Sequence, residues 1–396
     1  MSLTMTQTIG LSNQESKVIS SRFDSTLLMV TAMLLVIGLV MIASASIDIA
    51  DVRNGNPFHY MIRHGIFVIL GVIAGLMAYQ LPSSWWQKMG WLALCISLLM
   101  LVVVLLPGIG KTVNGSTRWI SLGSLNIQPS ELTKLLLVSY LAGYLVRRRE
   151  EVMTSWWGFA KPMIVLGVAA VLLLAEPDFG ATVVIGAAFL GMIFLSGARL
   201  GQFIVLIIGC LCGAIGLVYS QPYRLQRFIG YTDPWADQFG SGYQLTQSLI
   251  AFGRGDWAGV GLGNSIQKQF YLPEAHTDFV FAILAEEFGL IGTLMVVGLF
   301  SVLVYRALRI GYLAEKKQQL FNAYFAYGIG ILLGAQSFIN MGVNMGLLPT
   351  KGLTLPLVSY GGSSLIVSCM CIGVLARIYR DLDIPESVGD AGGSNA

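Results

Sequence analysis

Long apolar runs alternate with short polar links along most of this chain. Windows of about 20 residues, the length that crosses a bilayer core, predict ten spans near 27–47, 61–81, 91–107, 131–146, 162–176, 179–197, 200–219, 278–305, 321–343 and 363–379. The third, fourth and fifth are short. Helices satisfy their own backbone groups in lipid, so the expected fold is an all-α polytopic membrane domain over residues 25–380. A polar tail (1–24) should precede it and a disordered, Gly-rich tail (381–396) should follow. The stretch 220–277 between spans seven and eight is too long for a mere connector and predicts a large loop with a role of its own.

Basic residues orient the spans. With the N-terminus inside, the cytoplasmic links hold Lys88, Arg147, Arg148, Arg149, Lys161, Arg199, Arg306, Arg309, Lys316, Lys317, Arg377 and Arg380. The opposite loops carry fewer bases for their length, which predicts both termini in the cytoplasm. The first residues lack the pattern of a cleaved signal peptide, so span one should act as an uncleaved signal anchor.

Composition agrees. Charged residues make up 11% of the chain, against roughly a quarter in soluble domains, and the mean hydropathy is +0.72. A net charge of +3 is small for 396 residues and gives no reason to expect a nucleic-acid partner; membrane lipid is the expected surrounding. All five cysteines (Cys95, Cys210, Cys212, Cys369, Cys371) fall inside apolar spans, so the loops offer neither a disulfide framework nor zinc spacing.

Polar chemistry gathers in the outer loops. The first runs from Lys111 through the turn signal Asn114-Gly115 to Arg118-Trp119, and its alternation permits a short hairpin. Arg118 could bind a phosphate or anchor at headgroups. Gln128-Pro129-Ser130-Glu131 marks a helix start, and Glu131 and Lys134 share a face as a salt bridge or a ligand pair. Glu176 and Asp178, at the turn after span five, could be solvated, hold a divalent cation, or steer a charged substrate. Gly242 to Phe252 is an amphipathic stretch suited to the interface, with Gln247 a candidate substrate contact. The glycines at 253–263 lack the strand that a dinucleotide fingerprint requires.

The last outer loop contains Lys351-Gly352 and then Ser359-Tyr360-Gly361-Gly362-Ser363-Ser364, which opens span ten. Free N–H groups at that helix start, with Lys351 nearby, make an anion site, with Ser359, Gly361 and Gly362 as candidate contacts. Gln336, Asn340 and Asn344 recur every four residues of span nine, a polar stripe that should face the bundle interior as glue or as substrate contact.

One acid stands apart. Asp278 closes the run Tyr271-Leu272-Pro273-Glu274-Ala275-His276-Thr277 and precedes an apolar stretch. A carboxylate where water meets hydrocarbon invites a functional reading, beside the alternative of a first-turn helix acid. Thr277 could cap the helix and leave Asp278 free. The helix N-terminus would lower its pKa, whereas desolvation and Glu274 would raise it towards working pH. Glu286 and Glu287 lie about 12 Å deeper at 1.5 Å per residue, where at least one should pair or stay protonated.

These stretches, collinear over the whole chain, resemble the SEDS family (shape, elongation, division and sporulation), the FtsW, RodA and SpoVE proteins of bacteria. The carriers are Asn114 to Ile120, Gln128 to Glu131, Gly240 to Gln244, Leu272 to Phe279, and Pro349 to Gly352 with Ser359 to Ser364. The forms Leu-Pro-Glu-Ala-His-Thr-Asp and Pro-Thr-Lys-Gly-Leu-Thr-Leu-Pro lean towards the division branch. The resemblance implies a peptidoglycan glycosyltransferase that polymerises lipid II at the outer face of the cytoplasmic membrane, at the division septum. It would work with a class B penicillin-binding protein and other division proteins. Asp278 matches the family's essential acid and is assigned as general base. Arg118, Lys134 and Lys351 are candidate pyrophosphate partners, with Glu274, His276, Gln247 and Asn344 as further substrate contacts. Pyrophosphate leaves without a second acid if its charge is met, so no cofactor is demanded, although a divalent cation (Mg or Mn) near Asp278 or Glu274 would serve. The alternatives are a lipid II flippase and a scaffold for the division machinery.

Overall fold

A computed structural model describes residues 23–113, 116–123, 125–219, 233–240, 242–349 and 352–383, with backbone alone at 113, 122, 125, 210–219 and 383. Lys351, the Asn114-Gly115 turn, Ser241 and most of both tails lie outside the described residues. Each predicted apolar run contains a helix. In chain order these are α1 (Ser25–Asn54), α2 (His59–Gln80), α3 (Ser83–Lys88), α4 (Gly90–Leu105), α5 (Pro129–Arg147), α6 (Arg149–Thr154), α7 (Trp156–Ala175), α8 (Phe179–Leu195) and α9 (Leu200–Tyr219). Then come α10 (Tyr243–Gly255), α11 (Val280–Lys316), α12 (Leu320–Asn344) and α13 (Gly362–Asp383). The short α3 and α6 are links. Among the described residues, α1, α2, α7, α11, α12 and α13 are the six helices long and apolar enough to cross a membrane, while α4, α8 and the start of α9 are shorter apolar helices.

Three expectations are corrected. The chain is not purely α-helical: β1 (Gly110–Val113), β2 (Ser116–Leu122) and β3 (Leu125–Ile127) form an antiparallel sheet in the order β1-β2-β3, with Lys111 opposite Trp119 and Ile120 opposite Ile127. The permitted hairpin thus gains a third strand. Asp24, assigned to the tail, is buried; it caps α1 by accepting from Leu27 N at 3.0 Å and pairs with Arg306 at 2.5 Å. At the other end α13 continues to Asp383, where Arg377 and Asp381, four apart, pair at 2.8 Å.

α12 sits at the centre, buried along most of its length, and packs on α5, α8 and α11. Its position explains why so polar a stripe is tolerated: Gln336, Asn340 and Asn344 are all buried in protein.

α11 extends well past the predicted span but is interrupted at Gly289, where φ is +65° and ψ −160°. The break frees backbone groups, and the loop after α10 supplies their partners from both directions. Val260 and Gly261 donate to the carbonyls of Glu286 and Glu287 at 3.0 and 3.1 Å, while Leu290 and Ile291 donate to those of Asp256 and Trp257 at 2.9 and 3.2 Å. This is how irregular backbone survives at membrane depth. Both deep acids are ion-paired, where the sequence required at least one to pair or stay protonated. Glu286 takes Arg254 at 3.0 Å, Ser265 and the Ile266 amide; Glu287 takes Lys268 at 3.0 Å and Ser44 at 2.6 Å.

Gly289 occupies backbone space open to glycine alone, and a methyl group there would lie 2.7 Å from the Trp257 carbonyl oxygen. Gly289→Ala should therefore cost on the order of 3 kcal/mol, read as a Tm several degrees lower in detergent; an unchanged Tm would show that the break does not depend on this glycine.

Candidate active site

Asp278 lies two residues before α11, in a half-buried recess. The N-cap position of that helix is Phe279, and no side chain caps it. Thr277 is not the cap the sequence suggested: its hydroxyl turns back to Glu274, at 2.8 Å from Oε2. The first-turn reading of Asp278 also fails, because its carboxylate satisfies no helix N–H. A tight turn delivers it: the amides of Thr277 and Phe279 both donate to the Glu274 carbonyl, and Glu274 holds φ +57°, uncommon for a residue with a side chain. Burial, then the charges of Glu274 and Asp178, push the Asp278 carboxyl up from 3.8 to about 7, with Arg118 pulling it down.

The polar stripe of α12 holds this loop. Asn340 Nδ2 donates to the carbonyl of Asp278 at 2.9 Å and to that of Leu353 at 2.5 Å. Asn344 Nδ2 also donates to the Asp278 carbonyl, at 3.0 Å, and its Oδ1 accepts from Ala282 N at 3.1 Å. Gln336 donates to the Thr354 carbonyl and to Ser364, and accepts from Lys134 at 2.6 Å. The stripe is glue, and the parts it joins are two loops of the site. Asn344, fully buried and fully engaged, is corrected from substrate contact to positioning residue.

Lys134 is corrected as well. It is wholly buried and bound to Glu131 at 2.8 Å and to Gln336, so it presents no free charge to a pyrophosphate. A lysine ammonium in the bundle needs such partners because an unpaired charge there is prohibitively costly.

Arg118, on β2, does reach the site. Its Nε donates to the Glu176 carbonyl at 3.3 Å and Nη2 to the Pro177 carbonyl, with Asp178 at 3.9 Å from Nη1. Asp178 is occupied elsewhere: it caps α8 through Ala181 N and accepts from Ser130 and Gln128. Glu176 is wholly buried, and neither of its carboxyl oxygens has a partner among the described residues. Burial, reinforced by Asp178, pushes its pKa up to about 8 against the pull of Arg118, so at neutral pH it is mostly uncharged. The turn that read as a solvated, steering or metal-binding pair is thus a cradle that aims the guanidinium through two backbone carbonyls, with the Asp178 carboxylate as its ion-pair partner.

The remaining candidates divide. The His276 ring is buried between Tyr60 and Tyr360, with centroids 4.8 and 5.7 Å away, and its carbonyl accepts from Tyr360 N at 3.0 Å. Burial lowers its pKa, leaving a neutral wedge that fastens the Asp278 loop to α2 in place of a substrate contact. Ser359 is buried, its hydroxyl accepting from Leu355 N at 2.9 Å, and so closes a turn. Gly361 and Gly362 are half-buried at the start of α13, where Ser363 accepts from Gln128 N at 2.9 Å and Ser364 bonds Thr354 at 3.0 Å. Gln247 is half-buried on α10, away from the hydrogen bonds that build the site. Glu274 stays beside Asp278. No three His, Cys, Asp or Glu side chains converge as metal ligands among the described residues. Sequence reading missed the double role of Asn340 and did not single out Gly352 within its motif. Only the four-residue spacing of the amides signalled the first.

The chain matches the FtsW/RodA/SpoVE family, described as cell cycle protein, over residues 25–383. A relative from Hahella chejuensis is 60% identical over 354 residues, 89% of each chain, and one from Marinobacter nauticus is 61% identical over 354 residues, 89% of this chain and 88% of the relative. Each carries the name "Probable peptidoglycan glycosyltransferase FtsW". Among solved structures, a chain from a peptidoglycan synthase complex, described as coordinating polymerization and crosslinking, superposes with a TM-score of 0.75 at 28% identity, covering 91% of this chain and 98% of that one. The rod shape determining protein RodA of Thermus thermophilus superposes with a TM-score of 0.67 at 25% identity, covering 92% and 98%. The chain belongs to the FtsW/RodA/SpoVE family of cell cycle proteins.

Proposed function

We propose that this chain is a peptidoglycan glycosyltransferase that polymerises lipid II at the outer face of the bacterial cytoplasmic membrane. Relatives at 60–61% identity bear the name of that activity. The observation that carries the residue-level reading is Asp278: a carboxylate free of capping, held through its backbone by two asparagines, with a pKa raised to about 7. That value suits a general base near neutral pH.

In the proposed transfer the acceptor sugar's 4-hydroxyl gives its proton to the Asp278 carboxylate. Its oxygen bonds to the anomeric carbon of the donor as the bond from that carbon to the pyrophosphate oxygen breaks. Undecaprenyl pyrophosphate departs with the bonding pair, and Arg118, already oriented by the Glu176 and Pro177 carbonyls, meets the developing charge. Lys351 is a second candidate cation for the leaving group.

The topology that suits this reading has ten spans, both termini cytoplasmic, and the loops bearing Arg118, Asp278 and Gly352 on the outer side. The septum is the proposed place of action. The proposed partner is a class B penicillin-binding protein, among other division proteins, since the similar solved chain comes from a synthase complex that couples polymerization to crosslinking. A flippase reading finds less support. The polar residues that could line a transport path, Lys134, Gln336, Asn340 and Asn344, are buried and bound to protein groups. A scaffold alone needs no acid of raised pKa.

Purified protein with its transpeptidase partner, given lipid II in detergent where no leaflet need be crossed, should make glycan strands. Asp278→Asn should reduce the rate by about 10²–10⁴-fold with membrane insertion intact; near-normal strands from that variant would remove Asp278 as base.

The pH profile gives a second check. A base works when ionised, so kcat/KM should fall about tenfold per pH unit well below about 7 and level off above it. A profile still flat at pH 5 would contradict a base with a raised pKa.

A further inference from the structure

Gly352 follows directly on the loop residue Lys351 and runs beside Asp278, because the carbonyl of the next residue, Leu353, shares the Asn340 amide with the Asp278 carbonyl. It is exposed, and its φ lies outside the left-handed region, so neither packing nor backbone conformation calls for glycine. What a side chain would meet is the informative part. A Cβ at this position would lie 3.1 Å from Asp278 Oδ2 and 3.9 Å from Arg118 Nη1, with no other group beyond its chain neighbours within 4 Å among the described residues. The bare face of Gly352 therefore looks onto a gap bounded by the base on one side and the aimed guanidinium on the other.

We propose that this gap seats the reacting glycosyl–pyrophosphate linkage and that Gly352 is the residue that keeps it open. The proposal rests on the reading of Asp278 as base and Arg118 as leaving-group cation. The chemistry demands opposite characters at the two ends of one short linkage: a proton acceptor beside the attacking hydroxyl and a cation beside the departing phosphate oxygen. Both groups lie within 4 Å of a single point, a spacing that one sugar–phosphate bond can bridge. The walls are fixed before substrate arrives. Asn340 ties the Asp278 and Leu353 carbonyls together, and the carbonyls of Glu176 and Pro177 hold Arg118. Preorganisation of this kind makes a displacement of about an ångström costly to catalysis, so a single methyl group intruding between the walls should be felt as obstruction.

The test compares Gly352→Ala, Gly352→Val and Asp278→Asn in the lipid II assay with the transpeptidase partner present. Gly352→Ala should lower kcat/KM at least tenfold and Gly352→Val should abolish strand synthesis, both with unchanged Tm. Wild-type kcat/KM in both glycine variants overturns the seat; if Asp278→Asn is inactive in the same experiment, the base reading stands without it. Active Asp278→Asn instead removes the base reading on which the seat rests. A second variant is independent of turnover. Gly352→Cys in membranes should react with a charged, membrane-impermeant methanethiosulfonate from the outer side, and undecaprenyl pyrophosphate should slow that reaction severalfold. Failure of the thiol to react, or reaction at the same rate with and without undecaprenyl pyrophosphate, also overturns the proposal.

Discussion

One side-chain amide joins the two halves of the site. Asn340 sits near the C-terminal end of α12, and its Nδ2 reaches the Asp278 carbonyl at the entrance to α11 and the Leu353 carbonyl in the loop before α13. Within an apolar bundle a buried backbone carbonyl has no water to turn to, so it must find a protein donor or bear a desolvation penalty. Two loops far apart in sequence are thereby fixed to one nitrogen. Gln336 below and Asn344 above repeat the device on Thr354 and on Asp278 itself. The ladder ends on Lys134, whose charge is balanced by Glu131. A run of amides that looked able to contact substrate instead sets where the substrate-facing groups stand.

The long loop meets the same requirement by a different route. Breaking α11 at Gly289 exposes peptide groups, and the segment from Asp256 to Gly261 inserts to bind them. The ion pairs Arg254–Glu286 and Lys268–Glu287 then lock that segment to the upper turn of α11, and Ser44 brings in α1. α10 rests on α12, with Ser248 donating to the Asn344 carbonyl at 2.7 Å. The chain between α10 and Asp278 is thus anchored at both ends to the helices that carry the amide ladder. A broken helix and a long loop, either of which would be soft alone, become one support.

Much of this was legible from the chain. Apolar length located the helices because lipid imposes the same demand on every span, and the cost of charge in hydrocarbon required that at least one of Glu286 and Glu287 pair or stay protonated, where both in fact pair. Asp278 stood out for that reason too. What was not legible depends on contacts between distant segments. Lys134 reads as an available cation until Gln336, about two hundred residues later, is placed against it. Thr277 is a good capping residue by type, but the turn at Glu274 reaches its hydroxyl first. His276 looks like a ligand and proves to be a wedge because Tyr60 of α2 and Tyr360 of the loop before α13 enclose it. Residue type announced which groups were chemically capable, and packing decided which of them were free.

Arg118 links the two chemical tasks of the proposed site. Its charge lowers the pKa of Asp278 while burial and Glu274 raise it, and the balance leaves the free enzyme with a base near neutrality. Glu176 beside it is buried, and burial pushes its carboxyl up to about 8, so the ion-pair partner of the guanidinium is Asp178, at 3.9 Å. In the proposed transfer a pyrophosphate bound by Arg118 would offset that pull, making the carboxylate more basic with substrate bound than without. The group that stabilises departure of the leaving group therefore also strengthens the base that starts the attack, and it does so only once the donor is in place. A single carboxylate then suffices, because the second acid that a sugar leaving group would require is replaced by a cation whose effect on the first is set by the substrate itself.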